Sequence, residues 1–242
     1  MSYGRKPDGN SSWHYFSEPT PWDSNTTNSY SGILSPPSFS KEGGFYTQGF
    51  ELSIAHTDPE ATIIYTDDGS IPCINNTDGT TYRYKNSYPF YTDSPFGEFY
   101  TNEFISHTYS SAGIAIEDCS SKPNKLSVIS TTVQEPNYFP SEPVFKGTVI
   151  RARAYKEGML PSPIVTHTYF ITPQGANRYS LPVVSLSIQE DHLFDYDMGI
   201  YVPGVDADNW RVRNPDKEFE WSFAGNFKRR GERAEHPAHF EF

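Results

Sequence analysis

The sharpest pattern in the chain lies at residues 148–155. There Val149, Arg151, Arg153 and Tyr155 alternate with Ile150, Ala152 and Ala154. A period of two, with one small apolar face and one polar face, is that of a β-strand. Residues 62–66 are a β-branched run closed by Asp67-Asp68-Gly69-Ser70 and Pro72, which is strand chemistry followed by turn chemistry. At 50–55, Phe50, Leu52 and Ile54 alternate with Glu51 and Ser53, and residues 166–171 supply a closing strand. The turn at 156–162 contains Gly158, suited to positive φ. These segments predict a sheet with Ile63, Tyr65, Ile150, Ala152, Ala154, Tyr169 and Ile171 in or beside its core.

The rest is less regular. Residues 73–143 are rich in Tyr, Asn, Ser and Pro. Structureless loops of that length are rare in compact domains, so strands are expected within it at 113–116 and 126–132. Asn76-Thr77-Asp78-Gly79 reads as a turn. Residues 181–188 form a nearly continuous apolar run, fit for a buried strand. A helical turn or two is expected at 189–194, a strand at 199–204 ended by Pro203-Gly204, a charged loop at 206–216 and a strand at 221–228. Residues 1–29 have no clear period and read as a linker or loop-rich edge.

Composition agrees with a mainly β chain. Of 242 residues, 17 are Tyr and 17 Phe, with 17 Gly and 20 Pro, a mix that favours short strands over helices. The net charge of −11 argues against nucleic acid as a partner, because phosphate binding needs a basic surface. No apolar run reaches the ~18 residues of a membrane-spanning helix. The first residues lack the apolar core of a signal peptide, so the chain is expected to be cytosolic or a piece of something larger.

Residues 63–72 and 148–155, with Pro161-Ser162-Pro163 and Thr168-Tyr169-Phe170-Ile171, resemble the immunoglobulin-like module at the C-terminus of chitobiases and β-hexosaminidases. That module is a β-sandwich which accompanies catalytic domains and is not itself the enzyme. Residues 73–143 depart from the family pattern, which has only a short loop and one strand there. Residues 2–9, Trp13, Thr20-Pro21 and Asn25 resemble the closing segment of a lamin-tail domain. Leu181-Pro182-Val183-Val184-Ser185-Leu186, Leu193-Phe194-Asp195, residues 199–204, Gly225-Asn226-Phe227, Arg230-Gly231 and Phe240-Glu241-Phe242 resemble the start of the CotH family, spore-coat proteins that are atypical kinases. Ala234 and His236 stand where that family usually has Trp and Arg.

The resemblances imply an immunoglobulin- or fibronectin-like sandwich with a long insertion, plus a small β-rich α+β region. The boundaries are 1–29 for the lamin-tail-like remnant, 30–173 for the sandwich with its insertion at about 73–143, and 174–242 for the CotH-like part. They imply a non-catalytic module of a secreted or surface bacterial protein, acting as spacer or interaction module beside other domains of its parent, a glycan or a cell-surface protein. Two other readings stand beside it. One is a CotH-like kinase whose catalytic and metal-binding acids lie downstream of Phe242, with ATP and Mg belonging to the intact parent. The other is a carbohydrate-binding module.

Candidate chemistry is sparse. No P-loop, Gly-x-Gly-x-x-Gly or Gly-x-Ser-x-Gly occurs. Lys228, Arg229 and Arg230 form a basic cluster that would approach phosphates in the kinase reading, or else is a solvated strand end. Asp206, Asp208 and Asp216, with Asn209, supply oxygen ligands for calcium, though not at EF-hand spacing. Tyr82, Tyr84, Tyr88 and Tyr91 would stack on sugar rings, or else pack the insertion onto the sandwich. Cys73 and Cys119 would form a disulfide in an extracellular setting, or else are two unrelated thiols. His236 and His239 lack the further ligands of a zinc site, and Asp67-Asp68 read as turn formers rather than a glycosidase pair.

Overall fold

The structure, a computed structural model, describes residues 1–88, 90–133, 139–220 and 224–242, without the side chain of Arg233. The strands are β1 (Ser2–Arg5), β2 (Trp13–Phe16), β3 (Ser29–Tyr30), β4 (Ser38–Phe39), β5 (Gly44–Tyr46), β6 (Phe50–Leu52), β7 (Ile54–Ala55), β8 (Thr62–Thr66), β9 (Thr80–Lys85), β10 (Phe99–Phe104), β11 (His107–Thr108), β12 (Ile114–Ile116), β13 (Thr148–Tyr155), β14 (Val165–Ile171), β15 (Ser185–Ser187) and β16 (His239–Glu241). Two α-helices, α1 (Glu190–Phe194) and α2 (Gly204–Arg213), complete the principal elements of this mainly β fold.

A five-stranded sheet in the order β11-β8-β13-β14-β5 dominates the first half. Its pairs are antiparallel except β14 with β5. The alternation in β13 does what the sequence predicts: Ile150, Ala152 and Ala154 are fully buried. Ile150, Ala152, Ile63, Tyr169 and Ile171 meet Leu52, Ile54 and Ile116 from the two-stranded pairs β4-β7 and β12-β6 in one apolar cluster. Full burial of a Leu or Ile side chain stabilises by about 1.5–3 kcal/mol. The opposite face of β13 is half-buried. Arg151 is buried, and its Nη1 donates to the carbonyl of Gly69 at 3.1 Å. The Asp-Gly-Ser turn is as expected, with Gly69 at φ 84° and Ser70 N–H donating to Asp68 Oδ1 at 2.9 Å. Gly158 also adopts positive φ.

The first 30 residues are not a bare linker. They form a three-stranded antiparallel sheet, β1-β2-β3, that buries Phe16.

The larger departure concerns residues 73–143. The hairpin β9-β10 holds its register over six pairs, from Thr80 opposite Phe104 to Lys85 opposite Phe99. Its apolar side chains pack on the C-terminal segment rather than on the five-stranded sheet. Tyr82, Tyr84, Phe104 and Ile129 cluster with Val202 and Phe194, and Tyr88 and Val133 cluster with Tyr196, Ala207 and Phe219. The two stretches thus share a second core. The expected strand at 126–132 is instead a series of turns, with Ile129 N–H bonded to the carbonyl of Leu126; β12 falls where the 113–116 strand was expected.

Three further expectations in the C-terminal segment are corrected. Residues 206–216 are mostly helix rather than loop. In α2 the buried residues are Gly204, Ala207 and Arg211, a helical stripe. Asp206 sits in its first turn and Arg211 and Arg213 in its last, each favoured by the helix dipole. Residues 199–204 are not a strand. They turn back onto α1, with the amides of Ile200 and Tyr201 donating to the carbonyls of His192 and Leu193. The run at 181–188 is not buried. Only Ser185–Ser187 pairs, with β16, and the polar side of that pair faces the body: Ser185 Oγ lies 2.7 Å from Thr168 Oγ1. Leu186 and Phe240, opposite each other in register, are consequently exposed. Of the strand expected at 221–228, residues 221–223, including Trp221 and Phe223, lie outside the described residues, and Asn226–Lys228 is a 3-10 turn.

Candidate functional site

A cleft of about 440 Å³ opens where the five-stranded sheet meets the second core. The turn after β8 brings Asp67 and Asp68 to one side, and Cys119, Lys122 and Lys125 come from the segment after β12. Glu190, the first residue of α1, also lines it. The side chain of Glu190 is only 5 % exposed. Tyr82 Oη donates to its Oε2 at 2.9 Å, Asn102 Nδ2 donates to Tyr82 Oη at 3.2 Å, and Lys125 Nζ approaches its carboxylate at 3.0 Å. Lys125 Nζ also donates to the carbonyl of Glu103 at 2.7 Å. Lys146, another lining residue, bonds the carbonyls of Lys122 and Val144 and Asn124 Oδ1. Two of the lining cations, Lys125 and Lys146, are thus held by fixed local acceptors.

Burial pushes the Glu190 carboxyl above the usual range, against the opposing pull of Lys125 and the Tyr82 hydroxyl. An acid with a raised native pKa binds its proton more tightly folded than unfolded. The stability this gives is complete below the ordinary carboxyl value and is lost as pH rises through the raised one. Glu190→Gln keeps an acceptor for Tyr82 and removes the ionisation. The difference in Tm, variant minus wild type, is expected to grow as pH climbs from ~4.3 toward neutrality. Thermal unfolding across that range reads it, and a difference independent of pH refutes the assignment.

A second polar cluster lies inside the second core. Lys85, at the end of β9, bonds Asp208 on α2, and Tyr196 Oη donates to the same carboxylate oxygen at 2.7 Å. Arg211 of α2 donates to the carbonyls of Tyr91, Thr92 and Ser94. Neither the pairing of Lys85 with Asp208, which the sequence marks only as a candidate calcium ligand, nor the role of Glu190 is visible in the sequence. The available signal was the alternation of Tyr82 and Tyr84 with Arg83 and Lys85, which marks a strand.

The residues singled out from the sequence are placed as follows. Asp206 and Asp208 stand on α2, not in a loop; Asp206 pairs with Arg229 at 2.8 Å and Asp208 with Lys85. Asp216 lies beyond the helix, and among the described residues no group of three or more His, Cys, Asp and Glu is arranged to hold a metal ion. In the basic cluster Arg229 is held by Asp206 and by the carbonyl of Asp197, and Arg230 turns onto the carbonyls of Phe227 and Arg229. Lys228 ends the 3-10 turn at Asn226–Lys228. Tyr82, Tyr84 and Tyr88 are buried; Tyr91 alone of the four is exposed. Cys73 and Cys119 are free thiols, and the expected disulfide is not formed. They sit at opposite ends of β13: Tyr155 Oη donates to the carbonyl of Pro72, while Cys119 Sγ lies 3.3 Å from Thr148 Oγ1. The seven steps of strand between them span about 23 Å, well beyond disulfide reach. Compared with protein-family models, with curated proteins and with solved structures, the chain matches none.

Proposed function

We propose that the chain is a non-catalytic spacer or interaction module of a secreted or surface multidomain bacterial protein. The observation that supports this reading is the use made of the buried and half-buried ionisable groups. Lys85 with Asp208, Lys125 with Glu190 and Arg229 with Asp206 are joined to one another. The first two pairs tie the insertion to the C-terminal segment, so these groups serve as joints. A phosphoryl-transfer site needs a cation free to meet phosphates, and of the cations named for the kinase reading Arg229 is already paired with Asp206 at 2.8 Å. A glycan platform needs exposed aromatic faces; Tyr82, Tyr84 and Tyr88 are interior, while Tyr91, Phe96, Phe99 and Tyr100 are exposed and are what the glycan panel tests. Extracellular or cell-surface placement belongs to the same proposal and rests on the lamin-tail, chitobiase-type and CotH resemblances in their order along the chain.

Isothermal titration with Mg-ATP and with a glycan panel tests it. No binding heat is expected from either. Saturable ATP binding would favour the kinase reading, and saturable glycan binding the carbohydrate-binding one; either overturns the proposal.

A further inference from the structure

Lys85 and Asp208 are 123 residues apart in sequence and in direct contact in the fold. Their side chains are 2 % and 14 % exposed. The rings of Phe99, Tyr196, Tyr88 and Phe96 surround Lys85 Nζ, with centroids at 5.0, 5.4, 5.5 and 5.6 Å. Tyr196 Oη donates to Asp208 Oδ2, the oxygen that Lys85 also meets. One amine, one carboxyl and one hydroxyl donor are therefore fixed together inside an aromatic enclosure.

That enclosure favours a particular reaction. Two separated charges are disfavoured where water is excluded. Passing one proton along the Lys85–Asp208 hydrogen bond gives an amine and a carboxylic acid with no change in net charge. Fixing the two groups in contact replaces a bimolecular encounter with an intramolecular one. The low exposure of the Lys85 side chain limits the water that could reverse the product.

We propose that Lys85 and Asp208 condense into an intramolecular isopeptide bond. The neutral Nζ attacks Asp208 Cγ and the C–N bond forms. The tetrahedral centre then expels one carboxyl oxygen. Starting from ammonium and carboxylate, one hydrogen stays on the amide nitrogen and two leave with that oxygen as water. Nothing is oxidised or reduced and no co-reactant is needed. Tyr196 Oη, already bonded to Oδ2, donates a proton to the departing oxygen and recovers one from the nitrogen. The product is a covalent staple between β9 and α2.

The test is the intact mass of the purified full chain, which requires no variant to fold. It is expected to lie about 18 Da, one water, below the mass of the sequence. Tryptic digestion is expected to leave the peptide bond after Lys85 uncut and to yield a branched peptide joining the segments that contain Lys85 and Asp208. Lys85→Arg and Asp208→Ala are expected at their full sequence masses. Wild type at full sequence mass, with ordinary cleavage after Lys85, overturns the proposal. So does loss of water that persists in either variant, since that places the condensation elsewhere.

Discussion

Ile150→Asp is expected to remove about 4 kcal/mol or more of stability, enough to unfold a marginal domain. Ile150 lies at the centre of β13 with no exposed surface, packed in the cluster that holds Leu52, Ile116, Tyr169 and Ile171. That cluster is wholly apolar apart from the Tyr169 hydroxyl, which donates to the carbonyl of Lys41 at 2.8 Å. A carboxylate placed there meets no cation. Ile150→Val separates charge from volume: it removes one methylene and is expected to cost about 1 kcal/mol. Urea and thermal denaturation followed by circular dichroism would measure both. Wild-type stability in Ile150→Asp would mean that the buried face of β13 is wrongly assigned.

The second large effect is expected at Asn226. Its side chain is fully buried and serves two backbone groups. Nδ2 donates to the carbonyl of Tyr196 at 3.0 Å, and Oδ1 accepts the amide of Asp206 at 3.2 Å. The latter amide lies in the first turn of α2, which has no partner within its own helix. Pro203, the residue before α2, makes no side-chain cap, so Asn226 caps the helix from twenty residues away. Asn226→Leu has nearly the same size and orphans the Asp206 amide, while the Tyr196 carbonyl keeps its bond from the amide of Val205 at 2.9 Å. The expected loss is about 1–3 kcal/mol, the cost of one orphaned group. Gly204→Ala should also be severe, because Gly204 has φ 61° and a Cβ there would lie 2.0 Å from Asn226 Nδ2. Denaturation midpoints would report both variants. A shift under about 0.5 kcal/mol, typical of surface changes, would refute the capping role.

The parts of the fold legible in the sequence are those whose pattern is local. Ile150, Ala152 and Ala154 declare a strand by period alone, and Asp68-Gly69-Ser70 declares its turn through side-chain bonding to its own backbone. The helix α2 was obscured because Pro203-Gly204 also ends strands, and because Asp206, Asp208 and Asn209 are common loop formers. Its helix signals were present: an acid in the first turn, arginines in the last, and Asn214-Pro215 as a stop. Residues 181–188 misled in the other direction. An apolar run predicts burial only if a surface waits to cover it, and here the body takes the serines and leaves Leu186 outward. The candidate cleft was illegible for a different reason. Glu190 is ordinary in sequence and becomes unusual only when Tyr82, 108 positions earlier, bonds it in a buried place.

The second core also sets the order in which the molecule is made. The first core draws its members from Leu52 to Ile171, so its strands are all available once β14 has been synthesised. The hairpin β9-β10 must wait longer. Between Lys85 and Asp208 the ribosome adds 123 residues, which at about 5–20 residues per second takes roughly 6–25 s. Through that interval Tyr82, Tyr84 and Tyr88 lack Tyr196, Val202 and Ala207, the side chains that later cover them. The nascent chain therefore carries a folded sheet with an uncovered aromatic hairpin emerging from it. Its aromatic face is covered only once α2 has arrived.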